Sequence, residues 1–338
     1  MKRQLLAQKN AYKANMHMHT TVSDGRMTPE ETKQAYKNAG YSIVAFTDHE
    51  VIVPHNDLRD EAFLPITSFE VAVSERCPGK IGRCSRTYHI NLFSKDPQKV
   101  FSSAFSASSV RREQSKPFIP AGMEDFECPK EYSVACINSI IAKAKEEGFL
   151  VSYNHPVWSL QDYSDYIDLK DVWGVELHNT GCVHQGYVDN TQPMEDLLRR
   201  GERVFPLATD DAHRLSDCFG GWIWVLADRL EYADVMDALE RGDFYASTGP
   251  EIYEISVEDH LLTVRTSSAV SVDVATDRRI FMRQENGNDE MTEATFDLTR
   301  WFDEAPNAEH SPYFRVTVRD ARGNQAWSRA YFWDELNG

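Results

Sequence analysis

The apolar positions of this chain fall into two textures that change near residue 250. Before that point, short apolar runs alternate with amphipathic stretches. "TPEETKQAYKNAG" reads as a helix with Thr28 as N-cap, Pro29 at the first position, Glu31 completing a capping box and Gly40 stopping it. The run that follows, "YSIVAFTDH", is continuously apolar, as a strand buried on both faces requires. The unit recurs. "VACINSIIAKAKEEGFLVSYNHP" puts Val134, Ile137, Ile140 and Ile141 on one helical face, ends the helix at Gly148 and enters a further strand. "MEDLLRRGERVFPLATDDAH" does the same through Gly201, and "DVWGVELHN" supplies another short strand. Repeated βα units predict a parallel, barrel-like α/β architecture whose functional residues collect at the carboxyl ends of strands. After residue 250 the runs shorten and alternate: "IYEISV", "LLTVRT", "VSVDVAT", "YFRVTVRD", "QAWSRAYFW". That period predicts a small antiparallel β-sandwich module over 251–338, following a first domain over 10–250.

Between Ser94 and Tyr132 lies a polar stretch too long for an ordinary connection, either a surface excursion or a lid over a site. Composition then narrows the class. No apolar run approaches the ~18 residues of a membrane span, and the opening "MKRQLLAQKNAYKANMH" lacks a signal peptide's apolar core, so a cytoplasmic protein with no membrane partner is expected. The six cysteines show no CxxC spacing. Cys77 and Cys84 could pair, but reduced thiols are expected in that compartment. A formal charge of -17 argues against a stable complex with nucleic-acid backbone, which is built on Lys and Arg. Bound divalent metals would offset part of that charge.

Candidate chemistry begins at "ANMHMHTTVSDG". A strand shows residues i and i+2 on one side, so His17 and His19 point together while Met16 and Met18 face the other way. Such a pair alone is a metal site or a coincidence. Further groups stand at strand ends along the chain: Asp24 in "SDG", His49 in "TDHE", Glu70 in "SFEV", His89 in "TYHI", His155 in "YNHP", and Asp211 with His213 in "DDAH". Each has a bland alternative, such as a turn contact for His49 or a cap for Asp211. Nine imidazoles and carboxylates from seven segments are hard to explain as independent accidents, and such mixed ligands suit Zn, Mn or Fe.

"HMHTTVSDG", "FTDHE", "NHP" and "DDAH", in this order, resemble the polymerase and histidinol phosphatase (PHP) family of metal-dependent phosphoesterases over about residues 10–250. The resemblance implies a distorted (β/α)7 barrel with two to three divalent metal ions at the strand ends, and hydrolysis of phosphate esters. It implies that His17, His19, Asp211 and Glu70 bind a first ion, that Glu70 bridges to a second held by His89 and His155, and that Asp24, His49 and His213 bind a third. The family's DxH spacing favours Asp211 over Asp210 as ligand. Asp48 and Asp210 adjoin ligands and could orient histidines. The expected reaction is attack on phosphorus by a hydroxide bridging two metals, with Glu70, His178 and Arg214 as the residues nearest the chemistry. Arg83, Arg86 and His55 are further candidates for gripping substrate or donating a leaving-group proton, and "STGP" at 247–250 for a phosphate-facing turn. A small phosphomonoester is the expected substrate; a 5′-to-3′ exonuclease acting on short oligonucleotides and a non-catalytic scaffold are the alternatives.

Overall fold

The structure, a computed structural model, describes residues 2–7, 10–75, 86–286, 290–307 and 311–337. Its first strand, β1 (Arg3–Ala7), stands apart from the sheet that follows. That large sheet begins with β2 (Tyr12–Asn15), β3 (Ile43–Phe46) and β4 (Leu64–Ser74), all parallel. Between β2 and β3 lies α1 (Pro29–Asn38), capped by Thr28 and Glu31 as its sequence predicts. β5 (Thr87–Ser94) returns antiparallel to β4 along seven paired residues. The helix α2 (Val134–Glu146) then leads into β6 (Phe149–Tyr153), β7 (Gly174–Asn179) and β8 (Phe205–Thr209), mutually parallel. Between them lie the short α3 (Tyr163–Tyr166) and α4 (Thr180–His184), and then α5 (Gln192–Arg199). β9 (Trp222–Val225) and β10 (Phe244–Ser247) flank α6 (Tyr232–Arg241) and pair antiparallel, β9 lying against β2.

The sheet is therefore mixed, whereas the repeated βα pattern predicts a parallel one. The reversal comes from the β4–β5 pair, which needs no helix between its strands. Nor is the ring closed by a ladder: among the described residues β8 pairs only with β7. A single bridge, Met18 with Ala212, links the loop after β2 to the loop after β8, with the His19 amide donating to Ala212 O at 3.1 Å. One core lies between sheet and helices, where Ile43, Ile66, Val71, Ile90 and Leu92 meet Ile137, Ile140, Ile141 and Leu197.

Beyond residue 250 the strands divide between two layers. β11 (Ile252–Glu258), β12 (Leu261–Ala269) and β15 (Met291–Asp297) join β1 in a four-stranded antiparallel sheet. β13 (Ser271–Thr276), β14 (Phe281–Glu285), β16 (Tyr313–Arg319), β17 (Gln325–Ser328) and β18 (Tyr331–Phe332) instead extend the large sheet, through pairing of β17 with β10. Leu6, Ile255, Leu262, Val264 and Phe296 pack against Val272, Val274, Phe314, Val316 and Trp301 between the layers. The alternation read from sequence is present, but it does not make a self-contained sandwich. No described helix is long and apolar enough to cross a membrane. Cys128, Cys136, Cys182 and Cys218 are unpaired, while Cys77 and Cys84 lie outside the described residues.

The extension is pinned to α5 by a buried ion pair between Arg315 and Glu195, whose carboxylate also accepts from the Tyr313 hydroxyl at 3.2 Å. Removing one member of such a pair leaves the other charged and buried. Glu195→Ala should therefore cost about 3 kcal/mol, read as a lowered urea midpoint; an unchanged midpoint would show that this contact does not hold the layers.

Candidate metal centre

The site is assembled where β2, β3, β6 and β8 end, within β4 and near the start of β5. His17 and His19 follow β2 in extended chain, with Met16 in the main core and Met18 in a second cluster around Tyr36 and Phe46. Both imidazoles therefore face the site, their Nε2 atoms 3.2 Å apart. The chain then folds back so tightly that a Cβ on Gly25 would lie 2.1 Å from His19 O, which is why glycine follows Asp24. His89 arrives from the opposite direction, near the amino end of the antiparallel β5. His155 and Asp211 sit at φ +28° and +47°, left-handed backbone that costs a non-glycine residue of order 1–3 kcal/mol. The turns after β6 and β8 pay this strain to aim both side chains inward.

Neither of the aspartates beside the histidines acts as an orienting acceptor for one. Asp48 ties down the loop after His19, accepting from Thr20 N at 2.7 Å, Thr20 Oγ1 at 2.8 Å, Ser23 N at 3.1 Å and Ser23 Oγ at 2.7 Å. Asp210 accepts from the amides of Phe219, Gly220 and Gly221 and from the hydroxyls of Tyr36 and Thr180, at 2.8–3.1 Å. Those donors use up its lone pairs, so it is Asp211 that faces the histidines.

The nine residues singled out by sequence converge. Glu70, 1% exposed, lies at the centre: Oε1 is 3.1 Å from His89 Nδ1, 3.3 Å from His17 Nε2 and 3.4 Å from His155 Nε2, and Oε2 is 3.0 Å from His49 Nδ1 and 3.4 Å from His19 Nε2. Asp211 Oδ1 is 3.1 Å from His19 Nε2 and 3.3 Å from His17 Nε2. Asp24 Oδ1 is 3.4 Å from His213 Nε2 and 3.7 Å from His19 Nδ1. Ligand atoms within 4.8 Å of one another form overlapping groups: His19, Asp24, His49 and His213; His17, His19 and Glu70; His17, His155 and Asp211; Glu70, His89 and His155. His19 thus belongs to the outer group as well as the inner one.

Electrostatics bind the groups together. Burial would raise the Glu70 carboxyl, but His89, His17 and His49 outweigh it and hold its pKa well below the carboxylate range. Burial and then His17 and His19 act likewise on Asp211, with the same downward result. Burial, reinforced by His49 and His213, pushes His19 down to about 3. Burial opposes a charge on His213 too, yet Asp24 and Asp211 push it up to about 9. Three carboxylates this close, one buried and two largely so, are stable only with positive charge among them, from protons or from metal ions.

The donors fit divalent ions. His17 Nδ1 lies 2.7 Å from Glu176 Oε1, which can only accept, so the lone pair of neutral His17 is on Nε2 and faces the cluster. His213 Nδ1 donates to Asp211 O at 3.1 Å, turning its Nε2 lone pair toward Asp24. His19 Nδ1 is buried without a hydrogen-bond partner. Inward lone pairs, an orphaned ring nitrogen and three carboxylates form an N/O donor set of the kind Zn, Mn and Fe take. Glu176 was not among the sequence candidates. Its signal was a lone acid inside the apolar run "DVWGVELHN", where burial demands a partner. It also accepts from Thr209 Oγ1 at 2.9 Å and the His155 amide at 3.0 Å. Asn154 supports Glu70 with a 3.0 Å bond to Oε1, and the Trp158 ring lies 5.0 Å from His155 and 5.5 Å from His89.

Other candidates are engaged elsewhere. His178 pairs with Asp189 at 2.8 Å and Thr180 at 3.1 Å, and its ring fills space that a Cβ on Gly221 would need. Arg214 bonds Asp217 at 3.0 Å with its side chain 55% exposed. Arg86 bonds Glu75 and Asp165 over the Tyr132 ring. The His55 ring packs at a tilt against Phe46, 4.7 Å between centroids. Ser247 closes its own turn by donating to Pro250 O at 2.7 Å. Arg83 lies outside the described residues. The 94–132 segment packs Phe105 and Val110 onto Val22 and Val51, against the loops that carry Asp24 and His49.

Solved structures give the comparison. A two-domain protein from Bacteroides vulgatus containing a predicted PHP-like metal-dependent phosphoesterase aligns over 98% of this chain and 98% of its own, at 14% identity and TM-score 0.45. The lesion-specific endonuclease PfuEndoQ from Pyrococcus furiosus aligns over 69% of this chain and 56% of its own, at 16% identity and TM-score 0.42. An amidohydrolase from Chromobacterium violaceum covers 60% of this chain and 87% of its own, at 14% identity and TM-score 0.38. The chain is similar to PHP-like phosphoesterases. No family model and no curated protein matches it.

Glu176 supplies a direct check on the tautomer assignment. Glu176→Gln keeps the shape and removes the charge behind His17, and should weaken metal affinity about 10–100-fold in chelator competition; unchanged affinity would show that His17 is oriented by something else.

Proposed function

We propose that this protein is a metal-dependent hydrolase of phosphate esters acting on a small phosphomonoester. The observation that carries the reading is the convergence of six imidazoles and three carboxylates, from seven chain segments, with ring nitrogens turned inward around Glu70. His17, His19, Asp211 and Glu70 would hold a first ion, Glu70, His89 and His155 a second, and Asp24, His49 and His213, joined by His19, a third. Bound ions of this kind supply Lewis acidity toward phosphoryl oxygens and acidify water so that a nucleophile is present at neutral pH.

The chain's own residues provide the rest. Glu70 sits between the inner groups, where one carboxylate can screen two cations from each other. Glu176, Ser159 and the Asp211 carbonyl fix three imidazoles, so no ligand must reorganise as charge develops. His49 and His213 are the most exposed members, at 22% and 38% of their side chains, and mark the side from which substrate enters. Ser159, the serine hydroxyl that bonds His155 Nδ1 at 3.2 Å, is buried at 1% exposure. A charge of -17 favours a small substrate over a nucleic-acid track. A scaffold that had lost catalysis would have no need to keep nine converging ligands.

Elemental analysis of gently purified protein should give two to three transition-metal ions per chain, and one or none under metal-replete conditions would sink the proposal. In the loaded protein Glu70→Gln should lower turnover by roughly three orders of magnitude while the far-UV spectrum stays unchanged. The rate on a free mononucleotide should exceed the rate per end on a short 5′-phosphorylated oligonucleotide. Faster oligonucleotide trimming that falls steeply with salt would identify a nuclease instead, and no hydrolysis of either would leave the scaffold.

A further inference from the structure

The segment 110–116, "VRREQSK", is a basic piece of an acidic protein, and it lies on the rim of the metal centre. Ser115 Oγ donates to Val22 O at 2.7 Å and Gln114 Nε2 donates to Ser23 O, while Val110 packs with Val22, Val51 and Phe105. These contacts fasten the segment to the loop that ends in Asp24. From it Arg112 Nη2 donates to Asp24 Oδ2 at 2.6 Å. The other oxygen, Oδ1, faces His213 and His19. Asp24 thus meets the candidate ligand set with both oxygens, Oδ2 lying 3.7 Å from His49 Nε2, while Oδ2 also holds the guanidinium.

The Arg112 side chain is 48% exposed, and Asp24 is its one partner among the described residues. A guanidinium carries five N–H donors in a planar fork, so most of this one is free, and it sits on the carboxylate that also faces His49 and His213. Arg86 and Arg214, by contrast, are committed to carboxylates away from the cluster. A fork held by one carboxylate at the mouth of an otherwise anionic site is suited to receive phosphoryl oxygens.

We infer that Arg112 is a substrate-binding residue: the 94–132 segment is a fixed arm that brings its guanidinium to the rim, where it hydrogen-bonds the non-reacting oxygens of a terminal phosphate and favours a dianionic monoester over a singly charged diester. This rests on the phosphoesterase proposal above, with a test that separates the two. Inorganic phosphate is titrated calorimetrically into metal-loaded wild type, Arg112→Ala and Arg112→Lys, the metal content of each is measured, and KM and kcat are determined on p-nitrophenyl phosphate and bis(p-nitrophenyl) phosphate.

Arg112→Ala should bind phosphate about 10–100-fold more weakly, the range expected for losing a hydrogen bond between charged groups. Arg112→Lys should fall between Ala and wild type, with metal content equal in all three. On the monoester KM should rise by a larger factor than kcat falls, and the diester KM should move less. Phosphate affinity in Arg112→Ala within twofold of wild type overturns the inference, as does failure of loaded wild type to bind phosphate. Loss of a metal ion in both variants also overturns it, because Arg112 would then act only by holding Asp24. Arg112-dependent phosphate binding without ester hydrolysis would instead overturn the functional proposal and leave this one standing.

Discussion

A carboxylate with 1% of its surface exposed, surrounded by five imidazoles, is the constraint on which this structure depends. Glu70 cannot be buried alone, because desolvating an ion costs several kcal/mol unless opposite charge stands close by. The histidines cannot all be protonated either, since they lie within a few ångströms of one another. Divalent ions would resolve both problems. They would supply the positive charge that Glu70, Asp211 and Asp24 require, and would use imidazole lone pairs in place of protons. Anions and cation sites at this spacing are each other's solvent.

Much of the surrounding architecture keeps that arrangement in place. Asp48 and Asp210 lie next in sequence to His49 and Asp211, yet both are spent on backbone amides and hydroxyls of neighbouring loops. The division of labour is set in the turns beyond β3 and β8, where Asp211 takes left-handed backbone and one residue of each neighbouring pair faces the cluster while the other faces the loop wall. The Met18–Ala212 bridge joins the loops after β2 and β8, although no ladder joins those strands. Closure at the site end therefore depends on the loops that carry ligands.

The site was legible in sequence because its residue types are rare in apolar surroundings. A histidine or acid at the end of a buried run has few structural uses, and nine of them in seven runs identified themselves. The helix at 29–38 was legible for a local reason, its capping box. The direction of β5 was not, because an apolar run such as "TYHINLFS" looks the same whichever way its neighbour points. The fate of the C-terminal strands was equally hidden: alternation shows that one face is buried without showing which sheet the edge joins. Arg86 and Arg112 illustrate the same limit for charges. Arg86 lies three residues before a candidate ligand, His89, and is tied to Glu75 and Asp165, whereas Arg112 is far from every candidate in sequence and bonds one, Asp24, in space.

The pairing of β1 with β11 and of β10 with β17 has a consequence for how the chain is made. Residues 3–7 are synthesised about 250 residues ahead of their partner strand, 252–258. At typical elongation rates that is a wait of roughly ten seconds or more. β10 likewise presents an open edge until residues 325–328 arrive. Over those intervals the nascent chain carries an unpaired strand and an uncovered edge beside the growing sheet, the two features that invite pairing with another chain.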